Sequence, residues 1–293
     1  TEFECHHEIA VAKNGDIYVL AKKTRLIFIA GFPLPIRDDC IVVFSQDGKY
    51  KDEISMLDVV YDDIAFNSVI RTYWHIIQPG SIKNMARHHI SMIRGKQPNS
   101  FLTPVEGVFD NMHINTLSIM DRDIKGLCKK GDFLICIRNW DLIGFMDPGK
   151  MALTWRWNTG QASRPHFPIL MENNNILLFD NGPLRNFSKV VEMNPFTKKV
   201  VWEYIADPPE SFHSLVRGCS QRLPNGNTLI TESDKGRVFE VTADGEIVWD
   251  FHNLEEGTKK GSKGRAGIYR MLRITEPEKY PCLNRLKEET IRQ

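Results

Sequence analysis

Cysteine is sparse and scattered in this chain. Six residues (Cys5, Cys40, Cys128, Cys136, Cys219, Cys282) stand far apart, with no C-x-x-C pair. That spacing excludes an ordinary thiolate zinc site and is too thin for a disulfide framework over 293 residues, although it leaves room for one bridge. No dense aspartate-rich calcium loop is present, which weighs against a quinone-cofactor dehydrogenase. Charge of one sign is also missing. Lys and Arg number 38 against 37 Asp and Glu, a formal net charge of +1, so no global field draws in nucleic acid or anionic lipid. The longest mostly apolar stretch, Leu26 to Ile36, is broken by Gly31, Pro33 and Pro35 and is too short to span a bilayer. The chain begins with Thr1, and no charged-then-apolar leader follows. The expectation is a processed or truncated chain, with any anchor upstream. What is present, 42% hydrophobic and 26% charged residues, suits a globular core.

The chain is organised by a repeat. Four segments share an apolar strand, a short Gly, Asn or Pro turn, and a second strand with Trp or a large apolar residue near its end: 41–57, 142–157, 189–204 and 237–251. Asp47-Gly48, Asp147-Pro148-Gly149, Asn194-Pro195 and Asp244-Gly245 supply the dihedrals that hairpin turns need. Each is preceded by another hairpin, at 7–22, 113–139, 166–182 and 218–233. Apolar residues alternate in these segments instead of recurring with a helical period. Two hairpins in series make a four-stranded antiparallel unit, and its repetition predicts an all-β β-propeller of about four to six blades. Residues 1–293 are read as one propeller domain. A helical insertion is expected within it over 56–100, with Arg87-His88-His89 on a packed or solvated helix face. Residues 267–274 could begin a fifth unit. Trp155, Trp157, Trp202 and Trp249 are expected in the core.

Registering the first hairpins exposes a polar pattern. Ten residues before the second strand begins stand His7 (from Ile17), His166 (from Ile176) and Gly218 (from Thr228). His113 fits the same register if about ten residues are inserted before Phe133. Five residues after the second strand begins stand Lys22, Arg138, Asn181 and Ser233, all polar. Asn115, two residues from His113, would share its face of a regular strand. In a propeller such positions ring the mouth of a central channel. Arg donors and imidazoles gathered there suit a small oxyanion. The plainer alternatives are hydrogen-bonded structural histidines, an Arg138 salt bridge between blades, and a strand-ending turn at Asp180-Asn181-Gly182.

The segments HFPILMENNNILLFDNG, SKVVEMNPFTKKVVWEY and RGCSQRLPNGNTLITESDKGRVFEVTADGEIVWDF, with HHEIAVAKNGDIYVL and HINTLSIM earlier, resemble bacterial arylsulfate sulfotransferases (ASST-type propellers). The resemblance covers most of the chain outside the insertion. It implies transfer of a sulfuryl group from an aryl sulfate to a phenol, without a nucleotide donor, a metal or an organic cofactor. By motif, His166 matches the transiently sulfated nucleophile. His113 and Asn115 match the family's H-x-N, and Arg138 and His7 match its arginine and its earlier histidine. His166, His113 and Arg138 are thus the expected catalytic residues; His7, Asn115 and Asn181 are the expected substrate contacts, around one cavity. Departures are Glu8 where Asp is common and Asn173-Asn174-Asn175 in place of Pro-Asn-Gly. Expected partners are phenols and aryl sulfates, with homo-oligomerisation left open. The expected location is periplasmic or otherwise extracytoplasmic. The alternative is a non-catalytic propeller that binds a small anion, a glycan or a protein.

Overall fold

The computed structural model of the chain describes residues 3–29, 32–60, 112–158, 160–259 and 262–277. Two compact units divide at Arg164/Pro165. The first holds two four-stranded antiparallel sheets. One is β1 (Glu4–Val11), β2 (Ile17–Ile29), β3 (Phe32–Phe44) and β4 (Tyr50–Ser55); the other is β5 (Ile114–Ile119), β6 (Phe133–Ile137), β7 (Leu142–Asp147) and β8 (Ala152–Trp157). The second unit holds β9 (His166–Leu170), β10 (Ile176–Asp180), β11 (Lys189–Asn194) and β12 (Lys199–Tyr204), then β13 (Cys219–Arg222), β14 (Thr228–Glu232), β15 (Arg237–Val241) and β16 (Ile247–His252). A short hairpin, β17 (Glu256–Lys259) with β18 (Ser262–Arg265), follows. In every sheet neighbours in sequence are neighbours in space, so each is an up-and-down meander, the blade of a β-propeller.

Burial follows the alternation. In the second unit, Leu177 and Phe179 of β10 share one buried cluster with Ile230 of β14 and with Phe239 and Val241 of β15. Phe212, from the β12–β13 connection, fills its centre with ring centroids 5.5 Å from Phe179 and 5.4 Å from Phe239. In the first unit, Leu20, Ile41 and Ile54 share a core with Ile114, Phe133, Ile135 and Met146. Sheets with large apolar residues on facing surfaces must be packed against each other, because neither can bury that face alone.

The outer strands are less buried than expected. Trp157 is fully buried, but Trp249 is exposed and carries the Arg273 guanidinium over its ring at 5.4 Å. Trp202 is half-buried beneath Arg222 at 4.5 Å. Outer strands meet solvent along one face, and the guanidiniums cover the indoles there. Of the expected insertion, the described part is one helical turn, Met56–Val59, capped by Ser55 Oγ accepting from Asp58 N; the rest, with His88 and His89, lies outside the described residues. Residues 267–274 form no strand. The five described cysteines are free thiols, and no disulfide joins described residues. Burial pushes the Cys40 thiol up to about 12. No helix among the described residues is long and apolar enough to cross a membrane.

Candidate functional site

The second strands begin at Ile17, Phe133, Ile176 and Thr228, the residues from which the register was counted. Arg138, Asn181 and Ser233 are therefore the first residues beyond β6, β10 and β14. Lys22 lies inside β2, because that strand continues to Ile29.

The first strands are irregular where the histidines fall. Pairing shifts between Cys5 and Ile9 in β1, between Ile114 and Thr116 in β5, and at the start of β9 opposite Leu177 and Phe179. His7, His113 and Phe167 all have φ near +50°, at 55°, 53° and 49°. For a residue with a Cβ this conformation costs about 1–2 kcal/mol. Bulges re-aim side chains and recur beside functional sites. Asn115 sits in one of them, so the alternation that would place it with His113 is interrupted there. It is buried, with Oδ1 accepting from Thr116 Oγ1 at 3.0 Å. In the fourth blade strand pairing puts Cys219, one residue past the counted Gly218, in the place of His166, because β9 has a register shift that β13 lacks; at Gly218 itself a Cβ would lie 2.4 Å from the Phe179 ring.

Within the first unit, His7 and His113 stack edge to face with centroids 4.9 Å apart. Lys22, itself buried, places Nζ 3.4 Å from His113 Nδ1. An ammonium can only donate, so Nδ1 accepts and the proton of a neutral His113 lies on Nε2. The Arg138 backbone N–H donates to His113 O at 3.3 Å, and its Nη1 donates to Asn139 Oδ1 at 3.0 Å. Behind His7 stands His6, which counting missed: its Nδ1 lies 2.7 Å from His7 Nδ1 and its Nε2 3.2 Å from the buried Asp39 carboxylate.

Within the second unit, His166 is buried and its Nδ1 lies 2.6 Å from Asn181 Oδ1. Asn181, fully buried, donates through Nδ2 to Ser214 O at 2.6 Å and Arg217 O at 2.8 Å. Two carbonyls fix which end of the amide is nitrogen, so oxygen must face His166. His166 then carries its proton on Nδ1 and, when neutral, a lone pair on Nε2. Asn181 was expected to contact substrate, but its amide is engaged by protein groups on both sides. Ser188 Oγ braces the same turn, donating to Asn181 O at 2.9 Å. His213, on the β12–β13 connection, was also missed; burial, and then Lys235, hold its imidazole below the ordinary value of 6.5. No group of three or more His, Cys, Asp or Glu that could hold a metal occurs among the described residues.

Four-stranded antiparallel blades define an all-β protein of the β-propeller class; His166 begins its first strand, His113 directly precedes its own, and His7 lies inside β1. The chain belongs to the arylsulfotransferase (ASST) family, whose model matches residues 1–254. Among solved structures, a Bacteroides caccae protein of unknown function is 12% identical, with TM-score 0.44, covering 86% of this chain and 82% of that one. A catalytically inactive virginiamycin B lyase variant from Staphylococcus aureus with quinupristin is 12% identical, with TM-score 0.41, covering 87% and 71%. The Dos1 propeller is 9% identical, with TM-score 0.41, covering 87% and 49%. No curated protein matches the chain.

Proposed function

We propose that the protein transfers a sulfuryl group from an aryl sulfate to a phenol in two steps through a sulfohistidine at His166. Family membership supports aryl sulfotransfer as the class of activity. The observation that carries the finer reading is the polarity of the Asn181 amide, which leaves the His166 lone pair on Nε2. In the first step Nε2 attacks sulfur, the bond from sulfur to the aryl oxygen breaks, and the departing phenolate takes the Nε2 proton of His113 as Lys22 passes a proton into His113 Nδ1, so that His113 stays a neutral imidazole. In the second, His113 Nε2 removes the acceptor phenol's proton as its Nδ1 proton returns to Lys22, the phenol oxygen attacks sulfur, and the N–S bond returns its electron pair to His166. The proton ledger closes without a cofactor. Arg138, Asn115 and His7 are assigned to the sulfuryl oxygens, where fixed donors stabilise charge that develops in the transition state.

Incubation with 4-nitrophenyl sulfate should release nitrophenol faster when a second phenol is supplied, with ping-pong kinetics. Quenched protein should carry the adduct on the peptide containing His166, and His166→Ala should lose adduct and turnover together. Absence of adduct and of acceptor-stimulated release across several aryl sulfates would favour a binding propeller instead. An extracytoplasmic location belongs to the same proposal; a cytoplasmic gene product with neither leader nor anchor would overturn it.

A further inference from the structure

The segment after β18 lies beyond the residues that the family model matches. It forms no strand, yet it repeats the contacts of a first strand. In the fourth blade, Arg222 at the end of β13 reaches back to the third blade, pairing with Glu192 of β11 at 2.7 Å and covering Trp202 of β12 at 4.5 Å. Arg273 does the same one blade further on: it pairs with Glu240 of β15 and covers Trp249 of β16 at 5.4 Å. Glu192 faces Trp202 in its sheet as Glu240 faces Trp249, so the two arrangements are equivalent. Backbone ties hold the segment in place. Gln221 and Arg273 exchange two hydrogen bonds of 3.0 and 2.7 Å, and Met271 N donates to Thr231 Oγ1 at 3.2 Å. Residues 268–273 thus stand where the first strand of a fifth blade would run.

That equivalence identifies one position. Arg270 precedes Arg273 by three residues, as Cys219 precedes Arg222. Cys219 is paired with Thr231 of β14 as His166 is paired with Phe179 of β10. Arg270 therefore occupies, on the substitute strand, the place that His166 holds in the third blade. A second observation reaches the same site independently: the Arg270 guanidinium lies 4.5 Å over the ring of Phe167, the positive-φ residue that directly follows His166. Both side chains are half-buried.

We infer that Arg270 is a further substrate-binding residue, whose guanidinium receives the sulfate group of the aryl sulfate beside His166. The inference rests on the function proposed above. Stacking on Phe167 holds the planar fork in one orientation, which suits it to two oxygens of an anion.

The test measures 4-nitrophenyl sulfate both as a ligand at equilibrium and as a donor. Arg270→Met should weaken equilibrium binding and raise KM on the order of 10- to 100-fold, the range expected for losing a hydrogen bond to a charged group. The adduct should still form on His166 at saturating donor. Arg270→Lys should recover part of the affinity, because charge survives without the fork. Loss of binding in Arg270→Met, where the wild type binds but forms no adduct, would uphold this assignment and overturn sulfuryl transfer. Unchanged binding and KM in Arg270→Met would overturn it, as would a wild type that binds no aryl sulfate. Equal defects in the Lys and Met variants, with matching losses of thermal stability, would make Arg270 a brace for Phe167 and nothing more.

Discussion

Asn181 decides which nitrogen of His166 carries the proton. Its Oδ1 lies 2.6 Å from His166 Nδ1, and its Nδ2 is held by the carbonyls of Ser214 and Arg217. The amide cannot turn over without placing its N–H groups against the imidazole and its oxygen against two carbonyl oxygens. A side chain held by two backbone carbonyls therefore sets the tautomer of His166.

Asn181→Leu should leave a protein that folds but forms the His166 adduct slowly. A catalytic histidine left in the wrong tautomer loses as much as about 10⁴ in rate. Nitrogen-15 chemical shifts of the imidazole should show the Nδ1-protonated form in the wild type and a mixture in the variant, independently of turnover. Asn181→Asp should act differently. A carboxylate beside Nδ1 stabilises the imidazolium, so the acid limb of the adduct-formation profile should move to higher pH. Unchanged nitrogen shifts in Asn181→Leu would end this account.

Lys22 and His113 form the converse pair, with the ammonium donating into Nδ1 and the proton left on Nε2. Lys22→Met should slow donors with basic leaving groups while sparing 4-nitrophenyl sulfate, whose departing phenolate needs little protonation. The defect should stay below the about 10²–10⁴-fold that a positioned general acid contributes. The measurement is the dependence of adduct formation on leaving-group pKa, which should steepen. An equal loss for all donors would assign Lys22 to binding instead.

His213 should make stability depend on pH. Burial and the nearby Lys235 depress its imidazole, whose ordinary value is 6.5. Below that value the unfolded chain takes up a proton that the folded protein refuses, so the unfolded state binds more protons and stability falls as pH drops. The loss begins as pH falls through 6.5 and ends below the depressed folded value. His213→Gln should flatten the urea midpoint against pH between 7 and 5, while the wild type slopes downward toward acid. Parallel slopes would show that other groups control acid stability.

Much of the blade architecture could be read from local signals. Ile17, Phe133, Ile176 and Thr228 begin β2, β6, β10 and β14 because turn residues and apolar alternation act over a few neighbours, and those are visible in one dimension. Counting from them placed Arg138 and Asn181 directly after their strands. Even one departure has a local reason: Asn173 and Asn175, in place of Pro-Asn-Gly, donate to Glu192 at 3.2 and 2.6 Å, as Asn225 and Asn227 donate to Glu240 in the next blade.

Other features needed the tertiary structure. The bulges at Asn115 and Phe167 depend on how an adjacent strand pairs, and counting alone assumes that it pairs evenly. The direction of the Asn181 amide depends on carbonyls 33 and 36 residues away. The place of Arg270 depends on a segment that returns to β13 across 52 residues and repeats a strand's contacts without a strand's pattern. Counting from the second strands found His166 at the start of β9 and His113 directly before β5, but it put His7 at a strand start where the structure has it inside β1. Which nitrogen His166 and His113 present was decided by hydrogen-bond partners that only the folded chain brings close, Asn181 at 2.6 Å from His166 and Lys22 at 3.4 Å from His113.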